Sequence, residues 1–513
     1  MKFDKVFKDY DISRYYCLGV FMGWFDIAKG AGLIFIDDSI SDGVIFSPYT
    51  CRLSEAIDDL IINAFAEQGF GKWEFPTRVG AQNLEMLSSV PDETGEAIDF
   101  LPHTHTIVRG DCEQRVAQAQ QPIEVLRPAG EAQIYPFWKN NVRSYRDLGT
   151  LLGRVLLQQR FYRVPSGGHS QFTKFERPVS EGHALHKTRE EATHQMFQSI
   201  ETLERLATML GIPYLSVESP KWDNHPFNER MCYLLALLDE GVSLFGSAYN
   251  QGTILTERFG IQYQDRDSEF KTPFISTFGV GLLYKLMMTN LDQKGFILPP
   301  EVAPIEIVIL PINPSNSSGI EDYVREVEDS LVARNFRVKI DRNMDERLYK
   351  RREKYEQIGV PIRLEIGKNE FESDNVSLYL RWEYDERQQL MEYKIGKEDL
   401  VDRVEQSLFD YSNWASKRNS SIIEERIVQC TNTGELREIV EGGKVGKFYW
   451  CGEADCINQM YGKKDHVSRA RSEGSIGIGK FLGWDTHSED VSENQCIQCS
   501  QAADKIAYWS KRA

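Results

Sequence analysis

Two pairs of cysteines near the end of the chain, Cys451-x4-Cys456 and Cys496-x2-Cys499, constrain the fold more than any other feature. Each pair sits on a span short enough for one turn, and 39 residues separate the two pairs. Four thiolates spaced in this way are what a tetrahedral Zn²⁺ requires, so the two turns are expected to meet at one point. The alternative is four buried free thiols, and paired, closely spaced cysteines weigh against it. The other five cysteines are dispersed through 513 residues, too sparse for a secreted disulfide scaffold. A reducing, cytoplasmic setting with one structural metal knot fits best.

A chain of this length has room for roughly three domains at about 150 residues each. Its 41% hydrophobic and 27% charged composition is that of a folded globular protein, which excludes wholesale disorder and fibrous designs. Net charge is −17, so a polycationic nucleic-acid coat is excluded and any RNA contact must come from a local basic patch. Between Arg334 and Lys368 the sign reverses, with 11 Lys/Arg against 6 Asp/Glu, and this is the candidate patch. A mixed, solvated surface around Lys350-Arg351-Arg352 explains the charge count equally well. The apolar stretch Cys17 to Phe25 is followed by Asp26 and falls short of the about 20 residues a membrane span needs, so neither span nor signal peptide is expected.

Residues 1 to about 300 mix helical and short aromatic strand patterns, as in Gly71-Lys72-Trp73-Glu74-Phe75-Pro76, without regular β-α alternation. That pattern predicts an antiparallel sheet with packed helices. One helix is marked by the capping box Thr188-Arg189-Glu190-Glu191, the stripe Met196, Ile200, Leu203 and Leu206, and the stop at Gly211. After the linker Leu298-Pro299-Pro300 the pattern changes. Strands at 305–310, 336–340, 361–366 and 376–382, with an amphipathic helix through Ile320, Val324, Val327 and Leu331, describe a compact α/β domain. A third unit begins near 400 with a helix through Leu400, Val404 and Leu408, and ends in the cysteine cluster.

The segment from Arg160 to His183 is expected to be a long-looped hairpin turning at Pro165-Ser166-Gly167-Gly168. An arginine at its root could grip a carboxylate or phosphate in bidentate fashion, although a surface arginine is the commoner case. His183 with His186, and His103 with His105, have the spacing of metal pairs, but satisfied or exposed histidines are more frequent than ligands.

Longer strings carry a resemblance. These are Leu126-Arg127-Pro128-Ala129-Gly130-Glu131-Ala132-x-Ile134-Tyr135-Pro136, Val142-Arg143-Ser144-Tyr145-Arg146-Asp147-Leu148, Glu181-Gly182-His183-Ala184-x-x-Lys187-Thr188-Arg189-Glu190-Glu191-Ala192, Lys294-Gly295-Phe296-Ile297-Leu298-Pro299-Pro300-x-x-Ala303-Pro304-Ile305 and Gly359-Val360-Pro361-Ile362-Arg363-Leu364-Glu365-Ile366-Gly367. From about residue 40 onward the chain resembles prolyl-tRNA synthetases of the archaeal and eukaryotic type. The resemblance implies an α+β architecture: a class II synthetase antiparallel-sheet catalytic domain over 1–300, an α/β anticodon-binding domain over 301–400, and a small C-terminal four-cysteine zinc-binding-like domain over 401–513. Only about 100 residues separate the second and third class II motifs, which leaves no room for the inserted editing domain of the bacterial type. Phe75-Pro76 resembles the motif at the family's dimer interface, so a homodimer is implied.

The same resemblance implies ATP, Mg²⁺, an amino acid and tRNA as reaction partners, and structural Zn²⁺ at Cys451, Cys456, Cys496 and Cys499. Arg160 matches the motif-two arginine that meets the carboxylate and α-phosphate, and is the implied catalytic residue. Glu131, Arg160, Glu181 and His183 match positions that surround the substrate, and Glu176 lies with Arg160 on the ATP side.

Departures from the pattern are concentrated in the ATP site. Tyr162 replaces a glutamate, Thr173-Lys174-Phe175-Glu176 stands where an Arg-x-Arg-Glu pattern is usual, and Thr277-Phe278-Gly279-Val280-Gly281-Leu282-Leu283-Tyr284 lacks the motif-three arginine, with only Lys285 near it. Losing a charged donor from a phosphate clamp removes several kcal/mol of transition-state stabilisation, so the ATP pocket is expected to be eroded. Ala129 replaces a threonine, Val179 a tryptophan, and Ala248-Tyr249-Asn250 a Ser-His-Asn string around the amino acid. Three functions are compatible with these residues. They are activation of proline or a related amino acid for tRNA, a catalytically silent tRNA-binding paralogue, and a ligase that activates a non-standard amino acid for another acceptor.

Overall fold

A computed structural model of the chain describes residues 23–37, 39, 41–88, 124–162, 176–223, 226–314, 318–461, 478–487 and 490–511. The turn expected at 165–168 and the histidines at 103 and 105 lie outside the described residues. The chain divides into two compact units, Asp58–Ala207 with Pro213–Leu282 and Ser421–Ala513, and Met1–Ile57 with Thr208–Ile212 and Leu283–Ser420.

The first unit is built on one eleven-stranded sheet. Its order is Ile427–Gln429, Val445–Trp450, Lys505–Ser510, Lys480–Asp485, Tyr214–Glu218, Arg230–Leu238, Gly241–Gly252, Phe274–Val280, Glu176–His186, Arg154–Tyr162 and Gly71–Trp73. Every neighbouring pair is antiparallel except the two outermost, where Gly71–Trp73 and Ile427–Gln429 each run parallel to the strand beside them. Strand Arg230–Leu238 is a near-continuous apolar run, as expected where both faces of a strand are covered. Helix Arg189–Met209 buries Met196, Ile200, Leu203 and Leu206 on the predicted stripe. Half of the expected capping box is present, Glu191 N–H donating to Thr188 Oγ1 at 3.2 Å, while the Glu191 carboxylate accepts from Lys187 N–H at 2.9 Å, one residue before the cap. Gly211 supplies the left-handed turn, φ +66°, that ends the segment.

The C-terminal strands do not form a separate sheet. Trp484 pairs with Glu218 and Asp485 with Val217, so Lys480–Asp485 extends the same ladder beyond Tyr214–Glu218. Local periodicity holds no record of such non-local pairing.

The second unit carries a five-stranded sheet in the order Val338–Ile340, Ile307–Pro311, Ile362–Ile366, Asn375–Tyr384 and Leu390–Gly396, parallel across its first three strands and antiparallel beyond. Helix Ile320–Val332 buries Ile320, Val324, Val327 and Leu331 against it. Helix Leu400–Arg426 begins in the same core, where Leu400, Val404, Tyr411 and Ala415 are buried with Ile362, Leu364 and Trp382. No helix among the described residues is long and apolar enough to cross a membrane.

Candidate active site

Glu176–His186 lies between Arg154–Tyr162 and Phe274–Val280, with Leu157 opposite Glu181 and Val155 opposite His183. Alternation places these four on one face of the sheet. The segment Arg127-Pro128-Ala129-Gly130 crosses that face and enters helix Glu131–Asn141. Gly130 N–H donates to Glu181 Oε2 at 2.9 Å. A Cβ at Gly130 would stand 2.5 Å from Glu181 Oε2 and 3.1 Å from His183 Nε2, so the glycine is required by close approach, its φ of −73° being open to any residue. Glu131, the first residue of the helix, completes the group, and the ligating atoms of Glu131, Glu181 and His183 all lie within 4.8 Å of one another. Two carboxylates and an imidazole nitrogen on one side of a sheet make a receptor for a small cation or an ammonium group.

The support behind this cluster is aromatic and buried. Tyr135 stacks on Trp138 with ring centroids 5.5 Å apart and meets His183 and Phe259 edge-on. Its hydroxyl donates to Gln251 Oε1 and lies 3.3 Å from His183 Nδ1. Burial, reinforced by Glu131 and Glu181, holds that hydroxyl proton well above the ordinary phenol range. Arg127 is buried and ties three segments together, donating from Nε to the Arg160 carbonyl at 3.1 Å and from a terminal nitrogen to the Phe75 carbonyl at 2.9 Å. Neither Tyr135 nor Gln251 was singled out by spacing. Tyr135 stands one helical turn after Glu131, which could have marked it, whereas Gln251 has no local signal.

Glu131, Glu181 and His183 are thus brought together. Arg160 is placed differently: it stands opposite Pro178, three residues past Leu157, and alternation sends its side chain to the other face. Glu176 opens its strand opposite Tyr162, and its side chain lies outside the described residues. His183 and His186 do not form a metal pair, because odd spacing puts them on opposite faces, and His186 Nε2 is 2.8 Å from Ser276 Oγ. Burial, then the nearby Arg154 charge, pushes His186 down to about 3. In the motif-three region, helix Leu282–Thr289 has Lys285 as its single cation, and the Tyr284 ring lies 6.0 Å from Trp24 and 6.1 Å from Phe46.

The four C-terminal cysteines converge. Cys451 Sγ lies 3.5 Å from Cys456 Sγ and 3.7 Å from Cys499 Sγ, and all four sulfurs fall within 4.8 Å of one another. Tetrahedral zinc with about 2.3 Å bonds sets its sulfurs about 3.8 Å apart, so the donor set fits that ion. Gly452, φ +86°, and Ser500, φ +58°, make the left-handed turns beside the two pairs. Burial pushes the Cys496 thiol up, but backbone N–H groups of Cys499, Gln498 and Cys451 outweigh it and bring it below the ordinary thiol range.

The cations of the basic segment 334–368 are largely held in ion pairs, four of them with carboxylates of the segment itself. At least seven of its eleven cations make ion pairs: Arg334 with Glu405, Arg337 with Glu306, Lys350 with Glu353, Arg351 with Asp341, Arg352 with Glu365, Arg363 with Glu356 and Lys368 with Glu372. Arg351 and Arg363 are buried, so the excess charge does not form the open patch that counting suggests.

Residues 306–407 match the anticodon binding domain family. The fold is similar to that of the solved prolyl-tRNA synthetase from Cryptosporidium parvum, complexed with halofuginone and AMPPNP, at a TM-score of 0.81 and 19% identity, covering 96% of this chain and 97% of that one. The antiparallel sheet, its polar cluster and the anticodon module define a class II aminoacyl-tRNA synthetase. Proline–tRNA ligases are similar along the sequence. That of Methanococcoides burtonii is 30% identical over 399 residues, 75% of this chain and 78% of its own length, and that of Oceanobacillus iheyensis is 27% identical over 505 residues, 96% of each chain. The chain belongs to the prolyl-tRNA synthetase family.

Proposed function

We propose that the protein activates proline, or an amino acid closely related to it, with ATP and transfers it to tRNA. The observation that carries this reading is the convergence of Glu131, Glu181 and His183 under the Gly130 N–H in a chain of this family. In it the two carboxylates and His183 hold the substrate ammonium. The amino-acid carboxylate oxygen attacks the α-phosphorus of ATP, and the bond to pyrophosphate breaks. The tRNA 3′-terminal hydroxyl then attacks the carbonyl carbon of the adenylate, and AMP leaves. Mg²⁺ would neutralise phosphate oxygens, and the C. parvum relative's complex with an ATP analogue supports ATP as the nucleotide.

In this reading the family resemblance assigns Arg160 to the carboxylate and α-phosphate and Glu176 to the ATP side, and the strand alternation that turns Arg160 away from the ammonium cluster is the observation against that assignment. The division of labour runs 1–300 for activation, 301–400 for the anticodon and 401–513 for a module held by structural Zn²⁺, in a cytoplasmic homodimer.

Amino-acid-dependent pyrophosphate exchange tests the reaction. Proline-dependent exchange that is lost in Arg160→Ala is the expected result. Exchange with no amino acid overturns the reading, and unchanged exchange in Arg160→Ala overturns the role of that residue.

A further inference from the structure

This inference rests on the reading of Glu131, Glu181 and His183 as an ammonium receptor and concerns what holds the receptor in one state. Tyr135, His183 and Gln251 are all buried, at 0%, 1% and 2% exposure. A phenol carries one proton, and here it goes to Gln251 Oε1, 2.5 Å away. The oxygen of Tyr135 is then left to accept at its 3.3 Å contact with His183 Nδ1, which places the ring proton on Nδ1.

His183 Nε2 consequently turns a lone pair toward Glu181 Oε2 across 3.5 Å. That gap is longer than the about 2.7–2.9 Å of a charge-assisted N–H···O bond, as it should be when both atoms are acceptors. Glu131 closes the third side, within 4.8 Å of both. Three acceptors around one gap call for a donor with more than one N–H.

We propose that Tyr135 and Gln251 are positioning residues that hold His183 as the Nδ1–H tautomer, so that Nε2 and the two carboxylates together accept the N–H bonds of the substrate's α-ammonium group. Gln251 matters as much as Tyr135. Without its carbonyl the Tyr135 proton is free to turn to Nδ1, the ring proton moves to Nε2, and a donor replaces an acceptor in the receptor.

The test uses full-length wild-type protein, Tyr135→Phe and Gln251→Leu, with L-proline and ATP as probes. In pyrophosphate exchange each variant is expected to raise the KM for L-proline about tenfold, the effect of one lost hydrogen bond, with kcat changed by less than about threefold. Ring-¹⁵N NMR of histidine-labelled protein, with the His183 signals assigned by their absence from His183→Gln, is expected to show Nδ1–H in the wild type and Nε2–H in Gln251→Leu. An Nε2–H tautomer in the wild type overturns the proposal whatever the kinetics show. So does an unchanged KM in both variants. Absence of exchange in the wild type would overturn the ammonium role together with the synthetase reading, and the ring spectrum would still decide the positioning independently.

Discussion

Gly130 shows how one atom's absence can organise a site. Its backbone, φ −73° and ψ −30°, is in the right-handed region, so alanine there brings no conformational strain. The added methyl would nevertheless press on Glu181 Oε2 and His183 Nε2. Gly130→Ala is therefore expected to fold with an unchanged melting temperature while exchange activity falls about 100-fold, since a displacement of about 1 Å is enough for that loss. Scanning calorimetry beside the exchange assay checks it, and a fall in melting temperature of several degrees would mean that the helix yields instead. His186 gives a pH dependence at the same scale. It is held unprotonated in the folded state down to about 3, whereas in the unfolded chain it takes up a proton near 6.5. Its contribution is complete above pH 6.5 and is lost as pH falls toward 3, because the unfolded state then binds more protons. His186→Gln should lose less melting temperature than the wild type between about pH 7 and pH 5, and parallel losses would refute the assignment.

At the scale of elements, what the sequence states depends on whether the information is local. Helix Arg189–Met209 is written in its cap, stripe and stop, and four strands and the first helix of the second sheet follow from their apolar periods, whereas the edge strand Leu390–Gly396 does not. The convergence of Glu131 with Glu181 is not written that way, because 50 residues and a strand pairing separate them, and only resemblance to a family signals it. The cysteine turns are intermediate. Spacing predicts that they meet, but not that Cys451 directly follows Val445–Trp450, nor that Ile497 N–H donates to the Tyr449 carbonyl and Asp504 N–H to the Trp450 carbonyl. Those bonds fasten the four-sulfur site to the end of the large sheet. One zinc per chain is expected by atomic absorption. Its removal by a strong chelator should lower the melting temperature and release hydrogen-exchange protection in 445–450 and 505–510, leaving Ile307–Pro311 and Ile362–Ile366 protected. Cys499→Ser should reproduce this effect without a chelator, and full protection of 445–450 in that variant would count against a structural metal.

For the whole molecule the governing quantity is charge. A chain of net charge −17 repels the polyanion that the family reading requires it to bind, so affinity must come from cations held locally. Charge counting points to residues 334–368, but counting cannot tell which cations are already engaged. Arg363 is buried between Glu356 and Glu365, and Arg351 is buried against Asp341 with its guanidinium donating to the Pro311 and Asp341 carbonyls. Such cations stiffen the module and cannot reach a phosphate without leaving a buried carboxylate behind. If all eleven met phosphates, the logarithm of the tRNA association constant would fall with the logarithm of salt concentration at a slope of about −8 to −10. With seven held in ion pairs, the expected slope from this segment is less than half of that. Gel-shift titrations of tRNA from low to physiological salt measure it directly. A slope near about −10 that collapses on mutation of Arg352 and Lys350 would show that the pairs open on binding, whereas a shallow slope insensitive to Arg351→Met, in a variant that still folds, would establish that this arginine serves the fold and that the anticodon is read chiefly by shape and stacking.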